Sequence, residues 1–128
     1  MKKRAGFTLI EIIIAMVVLG IIISIAIPQY QAQFEKMRGA EARNICLQAY
    51  AGYQRLVAEG EEISPAKPAG NWTRLGMMDP NLNPNRYFNY SFQGSPFLTW
   101  IIAERLTNTS LRIRFRVSDA KFQNTPPY

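Results

Sequence analysis

The fold is decided by the hexapeptide GFTLIE at residues 6–11, because it opens an apolar run that continues to Ile27 and ends before Pro28. The 21 residues from Phe7 to Ile27 would form a helix about 30 Å long, which is the thickness of the hydrocarbon core of a membrane. The basic residues Lys2, Lys3 and Arg4 precede the run. We therefore expect a transmembrane helix over residues 7–28, with its basic end in the cytoplasm and the rest of the chain in the periplasm.

The apolar run differs from a secretory signal peptide. It is too long, no small-residue cleavage site follows it, and Glu11 places a carboxylate within it. A charge at the centre of a bilayer costs at least about 2.5–3.5 kcal/mol. Glu11 is therefore predicted to have a function.

The motif GFTLIE, together with the basic leader and the apolar helix, resembles the processing site of the type IV pilin and pseudopilin family. The resemblance covers residues 1 to about 30, a quarter of the chain. It implies that a prepilin peptidase removes residues 1–6 by cutting between Gly6 and Phe7. It further implies that the same enzyme methylates the new amino group of Phe7.

The resemblance also assigns an assembly role to Glu11, as the partner of the Phe7 amine of a neighbouring subunit. Such a pairing would compensate two buried charges and set the stagger between subunits. Gly20 and Pro28 weaken the helix, since glycine costs about 1 kcal/mol relative to alanine and proline removes a backbone hydrogen bond. We expect the helix to be flexible at these two residues, or simply kinked.

The composition excludes several classes of protein. The chain has 128 residues, a net charge of +6, no histidine and one cysteine, Cys46. An internal disulfide is therefore impossible, and we expect no zinc, haem, other metal or cofactor, and no histidine general base. Removal of residues 1–6 would leave 12 basic side chains against 9 acidic ones, so nucleic acid is an unlikely partner on charge alone.

The remainder of the chain predicts an α+β fold. Apolar residues at helical spacing predict an amphipathic helix over residues 29–60, with Gly60 at its C-terminal cap. Residues 61–128 are predicted to form a loop, to residue 86, and then a small three-stranded antiparallel sheet packed on the helix. The three predicted strands are Tyr87–Gln93, Phe97–Leu106 and Leu111–Val117, and a tail, Phe122–Tyr128, closes the chain.

The third predicted strand alternates, with Ile113 and Phe115 facing inward and Arg112, Arg114 and Arg116 facing outward. A solvated strand face is the main interpretation of this arginine stripe, and binding to DNA or to acidic neighbours in a fibre is the alternative. The sequence places no aromatic platform on that face, which argues against nucleic acid.

Together these features predict a structural subunit rather than an enzyme. Its partners would be copies of itself in a helical filament, the prepilin peptidase and methyltransferase, and an inner-membrane assembly platform. The alternatives are a pseudopilin of a type II secretion system and a minor or DNA-uptake pilin. A single-pass membrane enzyme is disfavoured because no nucleophile–base motif is present.

Overall fold

The computed structural model describes residues 6–66, 70–126 and 128. Of the predicted leader, only Gly6 is within this range, and Lys2, Lys3 and Arg4 lie outside it. The chain forms two compact units, divided between Phe34 and Glu35. Its elements are the helices α1 (Leu9–Ala58) and α2 (Asn71–Arg74), a 3-10 turn (Pro80–Leu82) and the strands β1 (Phe88–Gln93), β2 (Trp100–Arg105), β3 (Arg112–Arg116) and β4 (Lys121–Asn124).

Helix α1 ends in the way its sequence predicts. Gly60 has a φ of 79°, a backbone conformation that only glycine adopts at little cost. The N–H of Gly60 donates to the carbonyl of Val57 at 3.0 Å, and the N–H of Glu61 donates to the carbonyl of Leu56 at 2.8 Å. These two bonds form a Schellman motif, which satisfies carbonyls that the end of the helix leaves unpaired.

The first unit is dominated by the apolar part of α1. All of its large apolar side chains are exposed in the isolated chain, from 46% for Ile12 to 81% for Leu9. The most apolar 18-residue window of α1 has a mean hydropathy of 3.0, with none of it buried. The helix is thus long and apolar enough to cross a membrane.

The sheet of the second unit has four strands, in the order β1-β2-β3-β4, with every neighbouring pair antiparallel. The predicted α+β fold with a helix and an antiparallel sheet is confirmed, but the predicted count of three strands is wrong. The fourth strand falls in the segment that was expected to be a closing tail. The second strand also begins at Trp100 instead of Phe97.

Strand β4 carries little signal in the sequence. Its residues, KFQN, include a single apolar side chain, Phe122, so no alternation is visible. The preceding turn contains Ala120 with a φ of 53°. Glycine or asparagine is the usual residue in this conformation, so an alanine does not indicate the turn in the sequence. The strand is held by its partner instead, because Phe122 is opposite Phe115 and the two ring centroids are 4.9 Å apart.

The core of the second unit forms where α1 meets the inner face of the sheet. From the helix it receives the small side chains of Ala42, Cys46 and Ala49, which are fully buried. Small residues let the helix backbone approach the large side chains of the sheet. Those buried sheet residues are Phe88, Tyr90, Phe92, Ile101, Ile113 and Phe115. The predicted inward face of the third strand is therefore confirmed.

The connection between α1 and β1 covers one wall of this core. Trp72, in α2, is buried against Phe92, with 4.5 Å between ring centroids. The side-chain amide of Asn81 accepts from the N–H of Tyr90 at 2.8 Å and donates to the carbonyl of Tyr90 at 2.9 Å. A side chain thus pairs with β1 as a neighbouring strand would.

Candidate assembly site

The motif that predicts processing also starts helix α1. The N–H of Glu11 donates to the hydroxyl oxygen of Thr8, and the N–H of Thr8 donates to Oε2 of Glu11, both at 3.4 Å. This reciprocal pair is a capping box, in which Thr and Glu three residues apart satisfy two free backbone donors. The pattern T-x-x-E is visible in the sequence, where the family resemblance predicts only an assembly role for Glu11.

The capping box orients Glu11. Because its carboxylate bonds to the N–H of Thr8, it turns back toward the peptide that joins Phe7 to Thr8. Phe7 precedes the helix, and its side chain is 80% exposed. The structure therefore places Glu11 one helical turn from the predicted processing site, with its charge directed toward that end of the chain.

The two predicted flexible residues both lie inside α1. Pro28 has no N–H, so the carbonyl of Ser24, four residues earlier, receives no helical hydrogen bond from it. The hydroxyl of Ser24 donates to the carbonyl of Ile21 at 2.7 Å. A Cβ added to Gly20 would meet no atom within 4 Å. The helix is continuous through both residues, and their flexibility stays a prediction.

An apolar groove follows on the same helix, within the first unit. Its volume is about 370 Å³, and the aromatic pair Tyr30 and Phe34, with ring centroids 5.2 Å apart, forms part of its wall. The other lining residues are Ile23, Ala26, Ile27 and Gln31. Such a surface suits packing against another helix or lipid.

A charged cluster in the second unit joins α1 to the sheet. Oε1 of Glu35 accepts from Arg38 at 2.5 Å and from Arg105 at 2.8 Å, and Oε2 accepts from the hydroxyl of Tyr128 at 3.2 Å. Arg105 is almost fully buried, and it also donates to the carbonyl of Tyr87 at 3.2 Å. The only buried cation in the cluster is thus paired with a carboxylate, as burial of a charge requires.

The cluster shifts the pKa of two of its members. Burial by itself would raise the pKa of Glu35, but the hydrogen bond from Arg38, the charge of Arg105 and the hydrogen bond from Tyr128 outweigh it, so the pKa lies below its ordinary value of 4.5. Burial and the negative charge of Glu35 raise the pKa of Tyr128. At neutral pH both groups are therefore held in the states that bond to each other.

The outer face of the sheet carries an aromatic side chain that was not predicted there. Trp100 lies opposite Arg116 on the neighbouring strand. The guanidinium carbons of Arg114 and Arg116 lie 4.4 and 4.9 Å from the centre of its ring. The expectation that no aromatic side chain shares the arginine face is wrong. The reason is that Trp100 was assigned to the middle of an apolar strand, where its facing was ambiguous.

The comparisons with known proteins agree with the N-terminal motif. The family described as "Prokaryotic N-terminal methylation motif" matches residues 1–27. Two fimbrial proteins of Pseudomonas aeruginosa are each 34% identical to this chain over 83 residues, which is 64% of this chain and 54% of the relative. The chain thus spans about half the length of the curated relatives it matches. No solved structure matches it significantly.

Three features therefore agree. They are the methylation motif over residues 1–27, the similarity to fimbrial proteins, and an exposed apolar helix that leads into an antiparallel sheet. The chain is therefore similar to the type IV pilin family in its N-terminal motif and to fimbrial proteins over about two thirds of its length.

Proposed function

We propose that this chain is a structural subunit of a type IV pilus-like filament. Its precursor sits in the inner membrane with the basic leader in the cytoplasm. It is cut between Gly6 and Phe7, methylated on Phe7, and polymerised through its apolar helix. The subunit has no enzymatic role, and its partners are copies of itself, the prepilin peptidase and an assembly platform in the inner membrane.

The observation that carries this proposal is the unburied apolar surface of α1. Its most apolar 18-residue window is wholly exposed in the isolated chain. Exposure of so much apolar surface to water is unfavourable by about 25 cal/mol per Å². The surface therefore needs lipid before assembly and neighbouring helices afterwards, and a filament with a helical core supplies the second environment.

Glu11 connects processing to assembly in this scheme. Cleavage after Gly6 would create a cationic amine on Phe7, at the end of an apolar helix. A lone charge in a helical core is unfavourable, and a carboxylate one turn away on a neighbouring subunit would neutralise it. Uncut precursors lack that amine, so they would enter the filament with an uncompensated carboxylate.

The processing step is tested by intact-mass spectrometry of the protein from its native membrane. The expected mass is that of a chain starting at Phe7 and carrying one extra methyl group. A full-length chain starting at Met1, in cells with an active prepilin peptidase, would contradict the proposal and leave a plain single-pass membrane protein.

Two variants separate the charge of Glu11 from its capping role. Glu11→Gln keeps the capping box, since glutamine serves that motif as glutamate does, whereas Glu11→Ala removes both functions. We expect both variants to lose filaments in electron micrographs, while the membrane level of Glu11→Gln stays unchanged. Normal filaments from Glu11→Gln would mean that the capping bond alone matters.

The finer assignment, to a pilin or to a pseudopilin, depends on whether the polymer extends from the cell surface. Dense fibres at the cell surface would identify a pilin. Failure of protein export after deletion of the gene, without surface fibres, would identify a type II secretion pseudopilin. A low copy number in fibres would point to a minor subunit.

A further inference from the structure

The sheet of the second unit has an outer face that turns away from α1. It is recognised from the register, because Trp100 of β2 pairs with Arg116 of β3. The neighbours of the β3 arginines along the strand, Ile113 and Phe115, are buried in the core. We call the basic part of this surface the arginine face. Its residues are Trp100 of β2, Arg112, Arg114 and Arg116 of β3, and Lys121 of β4.

Trp100 orders the arginine face. Two guanidinium groups, those of Arg114 and Arg116, lie over its ring. Stacked arginines lose less side-chain freedom when they bind, and their N–H edges remain available for carboxylates. A tryptophan flanked by arginines is the composition of energetic hot spots in protein–protein interfaces.

The cations of this face are incompletely compensated. Arg112 is 3.9 Å from Glu104, and Arg116 is 3.3 Å from Asp119. Among the described residues, Arg114 has no carboxylate within ion-pair distance, and its Nε is buried without a hydrogen-bond partner. The face therefore carries four basic side chains against two acidic ones. This excess suits an acidic protein surface better than a nucleic acid, whose binding generally engages more cations.

The same unit presents an acidic segment elsewhere. Glu59, Glu61 and Glu62 surround the end of α1, and we call this segment the acidic turn. Glu59 is only 3.9 Å from Arg55, and Glu61 pairs with Arg74 at 2.8 Å. Glu62 is exposed and has no ion pair among the described residues.

The acidic turn follows α1, which packs on the inner face of the sheet, whereas the arginine face lies on the outer side. The two surfaces of one copy therefore cannot bind each other. Complementary surfaces on different sides of one subunit make heterologous contacts, which build an open helical polymer when the rotation between copies does not close a ring.

We propose that the arginine face of one copy binds the acidic turn of a neighbouring copy in the filament, with Arg114 facing Glu62. This inference rests on the proposed function as a filament subunit. It adds a contact between the sheet-bearing units, whereas the proposed function needs only the apolar helices.

Charge reversal tests the pairing. Arg114→Glu and Glu62→Arg are each expected to lower the number of fibres per cell at least about tenfold, because like charges then face each other. The double variant Arg114→Glu/Glu62→Arg restores the attraction and is expected to recover most of the fibres. Arg86→Glu, the same reversal at a half-buried arginine in the loop before β1, is the control and should assemble normally.

The outcomes separate the inference from the proposed function. If wild type and Arg86→Glu form fibres but the double variant does not recover, the pairing is wrong and the filament proposal stands. If wild type forms none, the filament proposal itself fails. If Arg114→Glu forms normal fibres that no longer retain labelled single-stranded DNA, the face binds an external polyanion and the pairing is overturned.

Cross-linking gives a second readout that does not require a charge reversal to be tolerated. Arg114→Cys and Glu62→Cys are combined in one chain, and the purified fibres are oxidised. A ladder of disulfide-linked multimers is expected, and Arg86→Cys with Glu62→Cys should give none. The native Cys46 is buried and should form no disulfide under these conditions. Absence of a ladder from intact fibres would refute the contact.

Discussion

The ring of Tyr128 lies so close to Gly39 that a Cβ added to the glycine would be 2.5 Å from Cδ1 of the ring. The two residues are far apart in the sequence, and their contact fastens the last described residue to helix α1. The ring also packs edge-on against Phe88, with 5.4 Å between centroids. Gly39 is therefore needed for the space it leaves open.

Gly39→Ala is expected to displace Tyr128 and lower the free energy of unfolding by about 0–2 kcal/mol. Overpacking destabilises by about 1–3 kcal/mol, whereas the better helix propensity of alanine stabilises by about 1 kcal/mol. Urea unfolding of the detergent-solubilised chain, followed by the fluorescence of Trp72 and Trp100, measures the change. In a Tyr128→Ala background the same substitution should become stabilising. An equal effect in both backgrounds would contradict the contact.

Glu35→Gln is expected to destabilise the second unit by about 1–3 kcal/mol, because Arg105 is left buried without its carboxylate. Glu59→Gln is the matched control. The ion pair of Glu59 is exposed and 3.9 Å long, so its loss should change the free energy of unfolding by less than about 0.5 kcal/mol. Equal effects of the two substitutions would mean that the buried cluster stabilises the fold no more than an exposed ion pair does.

The pH dependence of stability should report the same cluster. The folded pKa of Glu35 lies below its ordinary value of 4.5, so its contribution is fully present above that value and is lost as the pH falls through the folded pKa. We expect the free energy of unfolding to decline more steeply below pH 4.5 in wild type than in Glu35→Gln. Parallel curves for the two proteins would show that Glu35 is not shifted.

Gly60→Ala is expected to cost about 1–2 kcal/mol, since alanine must adopt a left-handed conformation. A Cβ at this residue would meet no atom within 4 Å, so the cost comes from the backbone alone. Gly60→Asn should cost less, because asparagine tolerates that conformation better. A larger loss for asparagine than for alanine, measured by the same urea unfolding, would argue against the Schellman motif.

Cys46 is expected to resist alkylation in the folded chain. Burial raises the pKa of its thiol to about 12, and the thiolate is the reactive form. Reaction with iodoacetamide at pH 8 should be at least about a hundredfold slower than in the unfolded chain. The control is Leu47→Cys in a Cys46→Ala background, which places a thiol on the exposed neighbour and should react rapidly. Equal rates at the two residues would refute the burial.

Flexibility of α1 can be measured by hydrogen exchange of the amides between Gly20 and Pro28 in micelles. Gly20→Ala should slow this exchange by up to about fivefold, since alanine favours the helix by about 1 kcal/mol and its Cβ has free space. Ala26→Gly is the opposite control and should accelerate exchange. Unchanged rates in Gly20→Ala would mean that the glycine does not set the local stability.

The sequence predicted those features that depend on short-range signals. Helix α1 follows from its periodic apolar residues, its end follows from Gly60, and the inner face of β3 follows from the alternation of Ile113 and Phe115. The capping box was also present as a local pattern. One carboxylate can serve both purposes, because Glu11 caps the helix and is also expected to take part in assembly.

The features that were missed depend on contacts between distant residues. Arg105 and Tyr128 are 70 and 93 residues from Glu35, and only the neighbouring pair of Glu35 and Arg38 was visible as a helical spacing of three. Strand β4 is likewise held by Phe115 across the sheet, and its four residues carry no pattern of their own.

Asn81 has a consequence for how copies of this chain avoid one another. Strand β1 is at the edge of the sheet, and such edges are templates for the stacking of chains into amyloid. The amide of Asn81 occupies both backbone groups of Tyr90 on that edge, and Lys121 puts a charge on the opposite edge strand. Both edges of the sheet thus carry a feature that hinders the pairing of a further strand, which disfavours edge-to-edge aggregation of this chain.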